Sequence, residues 1–163
     1  MGNYTATVAW ARAAGEAFKD NRYSRGHEWS FDGGVTLRAS SSPHVVPRYS
    51  DPAGVDPEEA LVASLSSCHM LTFLYLAAKQ GLVVDSYVDQ AEGVMGKNAK
   101  GRQYVSLVTL RPRIAWGGTA PDAAAVEALH HAAHEDCYIA NSVLTEVRVE
   151  SAKISLATPP TQR

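Results

Sequence analysis

Residues 60–78, ALVASLSSCHMLTFLYLAA, contain no Asp, Glu, Lys or Arg. A helix drawn through them is apolar on every side, so it needs cover all round. The flanks specify where it starts and stops. Asp56 suits the N-cap, Pro57 the first turn, Glu58 and Glu59 the positive end of the dipole, and Gly81 the stop. The pattern therefore predicts one helix from about Pro57 to Gln80. The run is long enough to cross a bilayer. Ser64, Ser66, Ser67, His69 and Thr72 interrupt it, however, and no other segment is membrane-like. It reads as the central helix of a globular fold, with no membrane partner. Its first half is small (Ala60, Ala63, Ser64, Ser67), which lets another backbone come close, and its second half is bulky.

The rest of the chain reads as strands and one more helix. Residues 4–10 alternate as a half-buried strand. Residues 29–31 and 35–37 flank Asp32-Gly33-Gly34 as a hairpin. Residues 40–56, rich in Ser and Pro, form a loop. Val83–Val94 and Tyr104–Trp116 read as two strands around a Gly96-Lys97-Asn98 turn, with Pro112 marking an edge or bulge. Pro121 and Asp122 open a second helix running to about Glu135, and residues 143–149 alternate as a last strand. Thr158-Pro159-Pro160-Thr161 reads as a frayed end. The order β-β-β-α-β-β-α-β is segregated α+β. At 163 residues the chain suits a single domain, residues 1–163. So short a chain has little sheet to cover the central helix, so a second copy is expected to supply part of the cover as an obligate homodimer. Fifteen Lys+Arg against 17 Asp+Glu leave a formal charge of −2, which gives no basic field for nucleic acid. The first residues lack a signal-peptide pattern, and Ala6 breaks the myristoylation pattern. A cytoplasmic location follows.

The chemistry-bearing residues are few. Cys68 and Cys137 are the two cysteines. In a reducing compartment they are either buried thiols acting as small hydrophobes or a redox pair. Cys68 lies mid-helix, where burial alone leaves a thiol inert, so a reactive Cys68 needs a cation brought to it. His69 points about 100° away around the helix and cannot serve as its base. Arg22, Arg25 and Arg48 are the upstream cations, and Glu58 or Glu59 could hold one of them. His130, His134 and Cys137 fall at i, i+4 and i+7, a spacing that also allows a small metal site. His131 belongs to an exposed polar stripe with Glu127 and Glu135.

The segment DPEEALVASLSSCHMLTFLYLAAKQGL resembles the signature helix of the OsmC/Ohr family, the osmotically inducible and organic hydroperoxide resistance proteins. The Pro-Glu-Glu start, the Cys ten residues after Glu58 and the terminal Gly carry the likeness. CYIANSV resembles the segment of the second family cysteine, and the DGG hairpin and TEVRVE strand also fit. The resemblance implies an OsmC-like fold, with two central helices and surrounding antiparallel sheets in an intertwined homodimer. It implies a thiol peroxidase acting on organic hydroperoxides without a cofactor, reduced by a lipoyl-type or small dithiol. Residue by residue, Cys68 matches the peroxidatic cysteine, Cys137 the resolving one and Glu58 the family glutamate. Arg25 matches the family arginine, and Arg48 resembles the position used in some members. The usual Cys-Pro is Cys137-Tyr138 here, and His130 and His134 depart from the plainer family pattern. The competing readings are a catalytically silent OsmC-like binding or stress protein, and a small metalloprotein using His130, His134 and Cys137.

Overall fold

A capping box opens the long helix. In the computed structural model, which describes residues 2–150, Asp56 Oδ1 accepts from the Glu59 N–H at 2.8 Å and Glu59 Oε2 accepts from the Asp56 N–H at 3.1 Å. Helix α1 spans Pro57–Lys79, and Gly81 ends it at φ +74°. The expected tail around Thr158–Thr161 lies outside the described residues. The architecture is mixed α+β, and contacts divide the chain after Leu61 into two compact units.

The first unit carries β1 (Ala6–Ala9), β2 (His27–Phe31) and β3 (Thr36–Ala39) as one antiparallel sheet in that order. Trp29 sits opposite both Val8 and Leu37. Gly34 supplies the positive φ of the hairpin turn, at +80°. The following loop folds back on itself. Ser40 Oγ accepts from the Asp51 N–H at 2.9 Å, and Ala39 bridges Val55 in parallel. Gly54 makes that return possible, since a Cβ there would stand 2.9 Å from the Ala39 carbonyl carbon. Trp10, Phe18 and Tyr23 form a ring cluster with centroids 4.7–5.9 Å apart.

The second unit holds the rest of α1, five strands and helix α2 (Ala123–Glu135), among the described residues. Asp122 caps α2 by accepting from the Ala125 N–H at 2.8 Å. Phe73 and Ala77 of α1 pack against Leu129 and Ala133 of α2, with Tyr87, Ile114 and Trp116 around them.

Each of the two long strands expected here is in fact two. β4 (Val84–Asp89) pairs with β7 (Pro112–Trp116), and β5 (Glu92–Lys97) pairs with β6 (Gln103–Leu110) in another sheet. Asp89 makes the break: its Oδ1 accepts the Arg111 N–H at 2.6 Å, taking it out of the ladder, and Pro112 beside it has no N–H to give. The turn between β5 and β6 sits two residues later than the sequence suggests. Asn98 Oδ1 accepts from the N–H groups of Lys100 and Arg102, each at 3.0 Å, and Gly101 takes φ +74°. β8 (Glu146–Val149) pairs with β6 in parallel, a departure from the all-antiparallel expectation. The chain reaches β8 through α2, and a helical crossover is the usual way to bring a strand back parallel.

The helix expected to be covered on all sides is covered on one side only among the described residues. Leu65, His69, Phe73 and Ala77 are buried, whereas Leu71 and Tyr75 are 61% and 62% exposed.

Replacement of Gly54 by Ala should cost about 1–3 kcal/mol, because backbone rather than a yielding side chain meets the new methyl. Gly33→Ala, with nothing within 4 Å, should stay within about 0.5 kcal/mol. Urea midpoints of the two variants check the contrast.

Candidate active site

Helical spacing places the two cysteines at the edge of the helix contact. On α1 the buried row is Leu65, His69, Phe73 and Ala77, and Cys68, one residue before His69, turns out of it toward the surface. On α2 the buried row is Val126, Leu129, His130 and Ala133. The helix ends at Glu135, Asp136 caps it, and a tight turn in which the Cys137 N–H donates to the His134 carbonyl at 3.3 Å carries the chain inward. Cys137 is therefore buried and Cys68 half-buried, both as free thiols.

Cys68 is close enough to raise the Cys137 pKa, so the structure brings near one another the two cysteines that the sequence singled out. Burial, above all, pushes the Cys137 thiol up to about 11, and the neighbouring Cys68 adds to it. The Ala140 N–H, donating to Cys137 Sγ at 3.4 Å, opposes the rise without overcoming it. Cys137 is thus a protonated thiol at neutral pH. Tyr138, standing where the related segment carries proline, is 81% exposed.

Cys68 opens onto a groove of about 800 Å³. Leu71, Tyr75, Tyr138 and Ile139 give it an apolar floor, and Glu135 and Asp136 put carboxylates at its rim. Among the described residues lining it there is no Lys or Arg. The cation that a reactive Cys68 requires is not supplied by this groove.

The remaining candidates belong to the first unit. The Arg25 guanidinium lies 3.6 Å above the Tyr23 ring and donates to the carbonyls of Tyr23 and Asn21. These partners hold the side chain without cancelling its charge. Arg48 is exposed and shares a shallow pocket with Glu16 and Asp51. Arg22 is paired with Asp20. Glu59 is committed to the capping box, whereas half-buried Glu58 stays out of it.

His130, His134 and Cys137 do not assemble as metal ligands, and no group of three His, Cys, Asp or Glu able to hold a metal occurs among the described residues. The reason is local: α2 ends before Cys137, so the seventh residue leaves the helical face that the spacing assumed. His130 turns instead to His69. The rings lie parallel within 10°, with His69 Nε2 3.0 Å from His130 Nδ1, and His130 stacks on Phe73 at 4.4 Å. Burial, chiefly, lowers each imidazole to about 4. For His69 the neighbouring His130 and His134 push the same way, and Asp89 opposes them. Sequence reasoning missed this pair. Its signal was available: one His stands on the apolar row of each of two helices. His131 lies on the exposed stripe as expected, 3.4 Å from Glu135.

Comparison with known proteins gives the family and the fold. A family model described as OsmC-like protein matches residues 50–152. Among solved structures, an OsmC-like protein of unknown function from Vibrio cholerae is 55% identical, covering 93% of this chain and 100% of its own at a TM-score of 0.90. An organic hydroperoxide resistance protein from Legionella pneumophila is 16% identical, with coverages of 94% and 98% and a TM-score of 0.70. That of Bacillus subtilis is 18% identical, with coverages of 93% and 98% and a TM-score of 0.66. The last two share the fold. No curated protein sequence matches significantly.

The imidazole pair makes stability depend on pH. Each ring takes a proton near pH 4 when folded and near 6.5 when unfolded, so the unfolded chain binds more protons between those values. The contribution is fully present above 6.5 and is lost as pH falls toward 4. Thermal melts should therefore show a falling midpoint over that window. A His69→Gln/His130→Asn double variant, whose amides do not titrate there, should lose that part of the slope.

Proposed function

Since the chain belongs to the OsmC-like family, we propose that it is a cysteine-based peroxidase that reduces organic hydroperoxides to alcohols. The observation that carries this reading is a half-buried thiol on an open, mostly apolar groove with a buried thiol close enough to feel it. A pair of inert core cysteines has no need of either nearness or opening.

Cys68 is the attacking sulfur, because it faces the groove. Its thiolate bonds to one oxygen of ROOH, the O–O bond breaks, and the departing alkoxide takes a proton to leave as ROH. Cys68 is left as a sulfenic acid. Cys137, held protonated, stays quiet until that moment. It then attacks the Cys68 sulfur: an S–S bond forms, the S–O bond breaks, and the hydroxyl leaves with the Cys137 proton as water. A dithiol of the lipoyl class returns both thiols by exchange, becoming oxidised itself. The reading places the protein in a reducing compartment such as the cytoplasm.

The thiolate needs a positive charge, and we assign that role to Arg25 rather than Arg48. Arg25 is held by carbonyls and a ring, whereas Arg48 sits among carboxylates. Glu58 acts as the positioning carboxylate for Arg25. Ten residues of helix rise about 15 Å, so Glu58 does not reach Cys68 along α1 itself and works through the arginine or across a dimer. The dimer belongs to the same reading. Leu71 and Tyr75 are bare on a helix with no charge in its middle, and a second copy covers them.

Cys68→Ser should abolish consumption of cumene hydroperoxide, and unchanged turnover would remove the assignment. Cys137→Ser should complete one turnover and then accumulate sulfenic or over-oxidised Cys68, read by mass spectrometry. Light scattering behind size exclusion should give the mass of two chains; a stable, active monomer contradicts the dimer.

A further inference from the structure

The contact between the sulfurs depends on how α1 registers against α2, and the apolar part of that contact is poorly suited to fix it. Phe73, Ala77, Leu129 and Ala133 attract by dispersion, which is not directional. A hydrogen bond is directional and weakens steeply when its atoms shift. The one side-chain hydrogen bond described between these helices' buried rows joins His69 and His130, at 3.0 Å. His69 is the residue after Cys68, and His130 lies on the helix that delivers Cys137.

We propose that His69 and His130 are positioning residues for disulfide formation: their imidazole–imidazole hydrogen bond locks α1 to α2 in the register that keeps the Cys68 and Cys137 thiols in contact. The step they serve is the one assigned above, so the inference rests on that reading. Three features support it. Both rings are almost wholly buried, at 1% and 4% exposure, and both are neutral at pH 7, so one donates and the other accepts. The pair is expensive: His69 Nδ1 and His130 Nε2 have no hydrogen-bond partner among the described residues, a cost that two leucines would avoid. Finally, stacking on Phe73 at 4.4 Å fixes the plane of His130, which fixes where its Nδ1 points. Neither imidazole hydrogen-bonds a sulfur, so the pair acts through the helices rather than on the reacting atoms.

The test separates register from simple packing. His130→Phe keeps a ring against Phe73 and removes both nitrogens. His130→Asn places an amide where Nδ1 was and can restore the bond. Diamide measures closure of the disulfide without any peroxidase activity. Its N=N bond takes up two electrons and the two thiol protons, becoming a hydrazine, as the S–S bond forms. His130→Phe should close the disulfide at least about tenfold more slowly, within the roughly hundredfold that ångström misplacement costs. His130→Asn should recover most of the rate. With excess cumene hydroperoxide, His130→Phe should form the Cys68 sulfenic acid at the wild-type rate but divert more of it to sulfinic acid. Closure at the wild-type rate in His130→Phe, or closure as slow in His130→Asn as in His130→Phe, overturns the proposal. If circular dichroism shows His130→Phe unfolded, His69→Leu against His69→Gln, whose amide stands at the Nε2 position, decides by the same criteria. Wild-type protein that closes with diamide but not with hydroperoxide refutes the peroxidase reading alone and leaves the pair to be judged by diamide.

Discussion

Two helices pressed together by a handful of apolar side chains decide where the sulfurs meet. Phe73 and Ala77 on α1 lie against Leu129 and Ala133 on α2, and burial of a Phe or Leu contributes about 1.5–3 kcal/mol. Cys68 is one residue off the buried row of the first helix, and Cys137 lies just past the end of the second. That packing brings the two helices together, and the register between them sets how closely the sulfurs approach. As hydrogen-bonding groups the thiols add little to stability themselves, since S–H is a weak donor and sulfur a weak acceptor. Cavities cut into the helix contact should therefore disturb the chemistry as well as the fold.

The same packing makes the sulfurs unequal. Cys137 is sealed in and held protonated at about 11, while Cys68 opens to the groove. In a two-cysteine peroxidase that inequality is useful: the exposed sulfur is oxidised first, and the buried one is kept from competing for substrate. The groove itself contributes carboxylates and no cation among its described residues. The proposed mechanism therefore relies on a positive charge arriving from outside the groove. In the proposed mechanism that charge is Arg25's.

Much of this was legible in the sequence. Asp56 and Glu59, Asp122 and Gly81 announce helix ends through local chemistry, and local chemistry survives folding. The strand breaks were not legible, because they depend on Asp89 capturing the Arg111 N–H across the unit, a contact no periodicity records. The parallel pairing of β8 likewise follows from where α2 delivers the chain. The pairing of Cys68 with Cys137 rests on family likeness; counting alone favours two buried thiols. His130 reads as a metal ligand from its helical spacing to Cys137, a spacing that ends when the helix does. Its true partner, His69, was set aside because it faces away from Cys68, yet that orientation is what sends it to His130.

The named hydroperoxide resistance proteins resemble this chain at under 20% identity, and the 55% identical structure is of unknown function. The chemistry must therefore be judged on this chain's own sulfurs. Free thiols titrated before and after one equivalent of cumene hydroperoxide do so most directly, with the products mapped by mass spectrometry. The account predicts that both thiols of a chain disappear together into an intrachain Cys68–Cys137 disulfide, with one equivalent of alcohol formed. Thiols that persist, or that are lost only as cross-links between chains, would contradict it.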